Sequence, residues 1–393
     1  MTDLYKRDHD KYMLMATVPL IICGTVLYSA RVLLLCAVAV LTAKAVDVAV
    51  SMLRRQDYDT TDHSSELSAV IFCLMLPVSV PVYVVAVSVL MAVLVGKHLF
   101  GGKDVYPFNL AALAMCTAAV NWSDKVFAAV VPFSKVAFWS GNTAGITTTT
   151  AGIVKSGGVP TYGTMNLLLG NHPGAMGSDF VLVIVAIGVY LIVTKKISWH
   201  IPISYLSTCV IIAFLFPRIY DFPRIASMEL ELLNGVVLFT ALFMLNEPAT
   251  TPKGKNAQII YGITAGVLGM IFRYMGGFEL GTCFALLLVN TLDGVIERFA
   301  DSDFFSRNSK RVMALASGVV SKRTGGENGK KEISEPKKKN TQPKAAQPKT
   351  KKNTMGIISE AEDSIDGVTY STRTISIEEV LKEETKQNKK GGK

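Results

Sequence analysis

Apolar runs separated by short polar connections dominate the first three hundred residues. They fall at about 12–29, 32–53, 67–76, 82–95, 110–122, 180–193, 201–216, 230–245, 259–272 and 280–295. A hydrocarbon core about 30 Å thick needs about 20 helical residues. The pattern predicts an all-α integral membrane protein with about ten transmembrane helices. Several runs are short for a full crossing, which a bilayer tolerates only where protein covers the freed backbone groups.

The polar connections set an orientation. Lys6, Arg7 and Lys11, then Arg54 and Arg55, Lys97 and Lys103, Lys195 and Lys196, and Lys253 and Lys255 occupy every second connection. The alternate connections hold fewer cations: Arg31, Arg218 with Arg224, and Arg273. By the positive-inside rule both termini are expected in the cytoplasm, with the long interval 141–178 outside. The N-terminal stretch has no small-residue cleavage site after its first apolar run and reads as a retained cytoplasmic end.

Two runs are interrupted at matching places, the third by Pro77 and Pro81 and the eighth by Pro248 and Pro252. With five spans per half, such breaks point to two inverted repeats with a site at their interface. Ordinary loop prolines are the simpler alternative. The interval 141–178 is rich in hydroxyls and glycines, with four consecutive threonines from Thr147 to Thr150. Its composition suits a backbone wrapped closely around a ligand.

Composition adds three constraints. Half of the 393 residues are hydrophobic, and the mean hydropathy of +0.36 lies outside the usual soluble range. The net charge of +9 comes mostly from a Lys-rich tail after Arg307. That tail lacks interleaved aromatics and follows a membrane span, so no nucleic-acid partner is expected. Residues 308–354 read as a disordered linker, and 355–393 as a short C-terminal segment able to dock. The six cysteines show no Cys-x-x-Cys spacing, which leaves packed thiols and no metal site as the expectation.

Four motifs together carry a family resemblance. They are Gly96-Lys97-His98-Leu99-Phe100-Gly101-Gly102 running on to Asn109, Phe243-Met244-Leu245-Asn246-Glu247-Pro248 running on to Pro252, Leu168-Leu169-Gly170-Asn171-His172-Pro173-Gly174, and 281–290. Over about residues 10–300 the chain resembles the D-type membrane protein of the Rnf complex and its relative, the B-type protein of the sodium-pumping NADH:quinone reductase. The compact N-terminal part favours the former.

The resemblance implies an FMN esterified through its phosphate to a threonine in the outer loop, and a second flavin such as riboflavin within the bundle. Aligning Ile146-Thr147-x-x-Thr150 on the family motif makes Thr150 the acceptor, whereas aligning on Lys155 makes it Thr149. Neither alignment supplies the family's Asp or Gly-Ala. A threonine-rich loop that binds flavin without a bond, or merely packs, is the alternative. Gly170, Asn171, Pro173 and Gly174 join the candidate cofactor-binding residues. Arg273 is either the outer counter-cation of a flavin phosphate or an interfacial anchor.

The tail segment Asp363-Ser364-Ile365-Asp366-Gly367-Val368-Thr369-Tyr370 resembles the flavinylation motif of the family's G-type partner. Thr369 is thus either a second acceptor or part of a turn before a cytoplasmic helix. Lys44 and Asp47, one turn apart in the second run, either pair with each other or line an ion path. Glu247 is a candidate proton or cation group, or a cap on the broken helix.

The expected organisation is a first membrane half over 1–122, an outer flavin loop over 123–178, a second membrane half over 179–307, and the linker and tail described above. The expected function is a multi-pass inner-membrane flavin carrier in an ion-translocating ferredoxin:NAD+ oxidoreductase, coupled to Na+ or H+. Its partners would be the A, B, C, E and G types of Rnf subunits, a flavin transferase and membrane lipid. Alone it is not expected to oxidise ferredoxin or NADH. A B-type quinone-reductase protein, a flavin-free solute channel and a structural scaffold with a degenerate flavin site are the competing classes.

Overall fold

The computed structural model describes residues 3–300 except 103–104, 135, 142–144, 220–221, 235 and 277–280, together with 364–365 and 368–369. The linker 308–354 lies outside the described residues. The chain divides into two units, Met1–Gly326 and Glu327–Lys393.

The first unit is mainly helical. Its order is α1 (Asp3–Leu27), α2 (Arg31–Arg54), α3 (Ser64–Leu74), α4 (Val82–Met91), α5 (Leu110–Asn121), α6 (Ser123–Val126), β1 (Ala128–Val130), β2 (Ile146–Thr148), α7 (Thr150–Lys155), α8 (Thr164–Leu169), α9 (Val181–Val193), α10 (His200–Leu215), α11 (Arg224–Leu233), α12 (Val237–Phe239), α13 (Lys255–Met275), α14 (Gly281–Thr291) and α15 (Asp293–Ala300). Wider π turns prolong α4 through Ala92–Lys97 and α12 through Thr240–Met244.

Over their described residues each of the ten apolar runs falls largely on helix, the run 230–245 being divided between α11 and α12. By length and composition four helices can cross a membrane: His9–Leu27, Arg31–Arg54, Val82–Phe100 and Lys255–Met275. A fifth is added if the pair Arg224–Leu233 and Val237–Met244, bent by 60°, counts as one span. The helices α3, α5, α9, α10 and α14 are apolar but shorter. The all-α expectation needs one adjustment, because β1 and β2 pair antiparallel, Val130 opposite Ile146.

The element α3 is buried along its whole length, with α1, α2 and α5 packed around it. Large apolar side chains such as Ile22, Leu41, Val185 and Ile211 stay exposed on the outer helices. Apolar surface of this extent marks contact with lipid or protein. In the second half α13 lies against α10 through Gly262 and Gly266, four residues apart. A Cβ on Gly262 would collide with Ser204 Oγ, so the small-residue stripe sets the helix separation.

Both proline breaks have their backbone groups covered. At the first, Met176 N donates to Leu76 O and Gly177 N to Leu74 O, each at 2.9 Å. The fully buried Arg31 guanidinium donates to Val78 O and Val80 O at 2.8 Å each, and also to Phe138 O. At the second, Asn246 Nδ2 donates to Ala241 O, and Asn109 Nδ2 donates to Met244 O. Unpaired carbonyls in an apolar surrounding are costly, and these bonds remove that cost. The first break lies at the Arg31 end of α2, and the second beside the loop that follows α4.

The second unit is described over its hairpin alone, where β3 (Ser364–Ile365) pairs antiparallel with β4 (Val368–Thr369), Ser364 opposite Thr369.

Candidate functional site

The threonine-rich segment folds so that its four hydroxyls fall into two classes. Thr147 and Thr148 lie exposed on β2. Thr149 and Thr150 are buried where α7 begins. Thr149 is the N-cap, its Oγ1 accepting from Gly152 N at 2.9 Å, which satisfies an otherwise orphaned helical donor. Thr150 Oγ1 lies 3.0 Å from His172 Nδ1 and 3.1 Å from Pro173 O, and Thr150 N donates to Pro173 O at 2.9 Å.

The segment 170–179 is built to hold that histidine. Gly170 closes α8 in the left-handed conformation, φ 73°. Asn171 N donates back to Asn166 O. Tyr28 Oη donates to His172 O at 3.1 Å, Gly174 bridges to Val130, and Asp179 Oδ2 accepts from Ala175 N at 2.8 Å. Burial pushes the Asp179 carboxyl up, against the pull of nearby His172. His172 is 1% exposed and its Nε2 has no hydrogen-bond partner. The structure thus brings Thr150, Pro173 and Gly174 together around His172, while Gly170 and Asn171 serve the end of α8.

Arg273 sits in a different cluster. Its Nε donates to Glu231 Oε2 at 2.7 Å and its Nη2 to Asn234 O at 2.9 Å. Arg218 Nε lies 3.2 Å from Glu231 Oε1, and the Arg218 guanidinium stacks 4.4 Å over the Tyr274 ring. Arg273 is 2% exposed and shares the Glu231 carboxylate with Arg218. Its side chain is turned into the protein toward Glu231 and Asn234, with Nη1 left without a hydrogen-bond partner among the described residues. A cavity of about 650 Å³ next to it is lined by Lys155, Arg218, Arg224, Phe216, Phe222 and Tyr274. Lys155 brings α7 to this cavity, and α7 packs on α11.

At the opposite end of α2 the motif around Lys97 becomes a buried charge network. Lys97 Nζ lies 2.8 Å from Asp62 Oδ2, 3.4 Å from Asp47 Oδ2 and 2.7 Å from Ser65 Oγ. His98 Nε2 lies 2.7 Å from Asp47 Oδ1. Lys44 instead reaches Glu66 at 3.1 Å, so Lys44 and Asp47 each find partners on other helices. Burial alone would raise the Asp62 carboxyl, but the Lys97 ammonium and the Ser64 donors hold it below the ordinary carboxylate value. A cavity of about 250 Å³ opens on this network. Nearby, Glu247 accepts from Tyr106 Oη and Asn109 Nδ2, both at 2.6 Å.

Four residues of these clusters do not stand out in the chain as candidates: His172, Asp62, Glu231 and Asn234. His172 lies inside the Leu-Leu-Leu-Gly-Asn-His-Pro-Gly stretch, and a histidine in a loop otherwise poor in charge is the available signal. Nothing local marks the other three, whose partners come from distant helices. Among the described residues no group of His, Cys, Asp and Glu could hold a metal ion, and the six cysteines are free thiols, Cys36 Sγ lying 3.7 Å from Cys73 Sγ.

Comparison with known proteins gives a consistent match. The model of the NQR2, RnfD, RnfE family matches residues 7–306. The chain is 28% identical over 294 residues to the D component of the proton-translocating ferredoxin:NAD(+) oxidoreductase complex of Clostridium ljungdahlii, covering 72% of this chain and 87% of that protein. It is 26% identical over 291 residues to the D component of the Na(+)-translocating ferredoxin:NAD(+) oxidoreductase complex of Acetobacterium woodii, covering 73% and 86%. Against the D component of the ion-translocating oxidoreductase complex of Ectopseudomonas mendocina the identity is 28% over 305 residues, covering 73% and 88%.

Proposed function

The chain belongs to the NQR2, RnfD, RnfE family, and from that membership we propose that it is the flavin-carrying D-type membrane component of an Rnf-type ferredoxin:NAD+ oxidoreductase. In this reading it relays electrons between flavins held by itself and by neighbouring components of the A, B, C, E and G types. The relay is coupled to movement of Na+ or H+. A bound flavin supplies the electron-carrying chemistry, and the protein supplies position and electrostatics.

The observation that carries the reading is the contact between Thr150 Oγ1 and His172 Nδ1. An ester acceptor needs its hydroxyl proton removed, and a histidine nitrogen at hydrogen-bond distance is the usual group for that work. His172 Nδ1 would take the Thr150 proton as Oγ1 attacks the flavin phosphate of a dinucleotide donor brought by the transferase. The donor's phosphoanhydride bond would break with a nucleoside monophosphate leaving, while Tyr28 and Pro173 hold the segment in place. Thr150 is 1% exposed, so a flavin transferase acts before segment 170–178 closes over it. Thr149, already a helix cap, is the second choice. Lys155, Arg218 and Arg224 around the large cavity suit the ester phosphate.

We read the ten helical segments as ten full or partial crossings in two inverted halves, both termini in the cytoplasm. Support comes from the two proline breaks, which lie at opposite ends of the bundle as inversion requires. The basic connections at Arg54, Lys97 and Lys255 share the end opposite Thr150 and Arg273. A second riboflavin-type flavin within the bundle is part of the same reading. Thr369, on the β4 strand of the tail hairpin, is the competing acceptor.

The test is the full chain co-expressed with a flavin transferase and purified in detergent. A flavin absorption spectrum that survives protein denaturation and size exclusion supports the carrier reading. A colourless protein that conducts a small solute in vesicles makes it a channel instead.

A further inference from the structure

The cavity of about 650 Å³ lies where the end of α10, the start of α11 and the end of α13 come together. The helix α13 is long and apolar enough to cross a membrane, so its end near Met275 falls at the depth of lipid headgroups. Charge is unbalanced there. Arg218 Nε and Arg273 Nε lie 3.2 and 2.7 Å from the two oxygens of one carboxylate, Glu231. Two guanidinium groups against one carboxylate leave a positive charge in excess. Arg224, exposed at the start of α11, adds another on the cavity wall. A partly buried cation excess is costly without a counter-ion.

The rest of the wall narrows the class of that counter-ion. Tyr274 lines the cavity, and its Oη is buried without a hydrogen-bond partner among the described residues. Such a group gains from an acceptor. The Arg218 guanidinium is fixed beside it, 4.4 Å over the Tyr274 ring and with Nη2 donating to Arg273 O at 2.8 Å. Leu215, Phe216, Ile219 and Phe222 make the remaining wall apolar. Of these, Leu215 and Phe216 are also exposed, as are Ile225 next to Arg224 and Met275 next to Tyr274. The cavity thus opens onto apolar surface of the kind that faces lipid.

Cations and a hydroxyl donor at the edge of apolar surface suit an amphiphilic anion. Arginine offers a phosphodiester paired N–H donors, and basic pockets between membrane helices bind anionic headgroups. A zwitterionic headgroup would bring an ammonium to a cluster already in cation excess, whereas one with a net negative charge cancels it. We infer that this cavity seats the phosphodiester of an anionic phospholipid, its oxygens toward Arg224, Arg218 and Tyr274 Oη and its acyl chains along Leu215, Phe216 and Met275. The lipid supplies the missing counter-charge and ties three helix ends together.

This site stands apart from the proposed function. A flavin joined to threonine through phosphate is also a phosphodiester, and Lys155 brings α7 to the same cavity. The two sources share their chemistry, and the apolar surround favours the lipid.

The full chain carrying Thr149→Ala and Thr150→Ala has no ester phosphate at either threonine. It is purified in detergent, exposed to equal amounts of phosphatidylglycerol and phosphatidylcholine, and weighed by native mass spectrometry. Phosphatidylglycerol is expected to be retained in excess. Arg224→Gln should lower that excess about fivefold, the worth of one cation beside an anionic headgroup. Tyr274→Phe removes only the unpartnered hydroxyl, should also lower it, and serves if Arg224→Gln misfolds. Arg55→Gln, at an exposed arginine past the other end of α2, should leave it unchanged. Equal retention of the two lipids, or an excess unaffected by Arg224→Gln and Tyr274→Phe, overturns the inference. An equal loss on Arg55→Gln overturns it as well, since general surface attraction would then suffice. In the wild-type chain, a gel flavin band weakened by Arg224→Gln with the lipid excess intact would assign the cations to the ester phosphate instead. A chain that never acquires flavin leaves the lipid result standing, so the two readings fail separately.

Discussion

Thr150 Oγ1 and His172 Nδ1 lie 3.0 Å apart, and both side chains are nearly excluded from solvent. The threonine comes from the start of α7 and the histidine from the turn after α8. Their meeting gives the Thr150 hydroxyl a partner able to accept its proton. The other buried hydroxyl, Thr149, uses its oxygen to cap the same helix.

Replacing His172 with alanine removes that acceptor and leaves Thr150 with Pro173 O. General-base assistance is worth about 10²–10⁴ in rate. Covalent flavin loading by a transferase is expected to slow by at least about 100-fold. A time course of gel fluorescence measures it, and an unchanged rate would show that the enzyme supplies its own base.

The network at Lys97 makes stability depend on pH in a defined direction. The folded Asp62 carboxyl is held below its ordinary value of 3.8 by Lys97 and the Ser64 donors, against the opposing effect of burial. A depressed carboxylate contributes stability that is complete above its unfolded value and is lost as pH falls through the folded one. Asp62→Asn is expected to lower thermal stability at neutral pH, by about 1–3 kcal/mol. The gap to wild type should narrow as pH drops below about 4. Melting curves across that range test the sign.

Close packing of α10 on α13 predicts a steric effect without charge. A Cβ at Gly262 overlaps Ser204 Oγ, and one at Gly266 comes within 2.8 Å of Thr208 Cβ. Gly262→Val is expected to destabilise by about 1–3 kcal/mol through overpacking. A Gly262→Val, Ser204→Gly double variant should recover part of that loss in the same detergent melting assay.

Arg31 is the brace of the first break. Its substitution by leucine frees the carbonyls of Val78 and Val80 and removes the bond to the loop at Phe138. At about 1 kcal/mol or more for each lost bond, limited proteolysis should cut faster near 77–81 and 133–141. Equal cleavage rates would show that the break is held by the 174–178 segment alone.

Much of the architecture is legible in the chain because apolar run length and proline position are local properties. The ten runs reappear largely as helix, and the breaks at Pro77–Pro81 and Pro248–Pro252 reappear as the ends of interrupted segments. Partnership across helices is not a local property, and there the chain misleads. Lys44 and Asp47 stand one turn apart and suggest a pair, yet Lys44 turns to Glu66 on α3 and Asp47 to Lys97 and His98 beyond α4. Arg273 gives no sign in the chain of its partner Glu231, 42 residues away, which it shares with Arg218. The same limit applies to the threonines. The family resemblance nominates both Thr149 and Thr150, and the separation between cap and histidine partner exists only in the folded loop.

The most direct measurement is flavin fluorescence of the denatured protein in a gel, after co-expression with a flavin transferase. Wild type is compared with Thr150→Ala, Thr149→Ala, a Thr147→Ala, Thr148→Ala control, and a chain truncated at Gly325. The expected result is a fluorescent band that survives truncation and the control changes and disappears in Thr150→Ala. A band lost on truncation yet kept in Thr150→Ala and Thr149→Ala would contradict it, and would move the acceptor to Thr369.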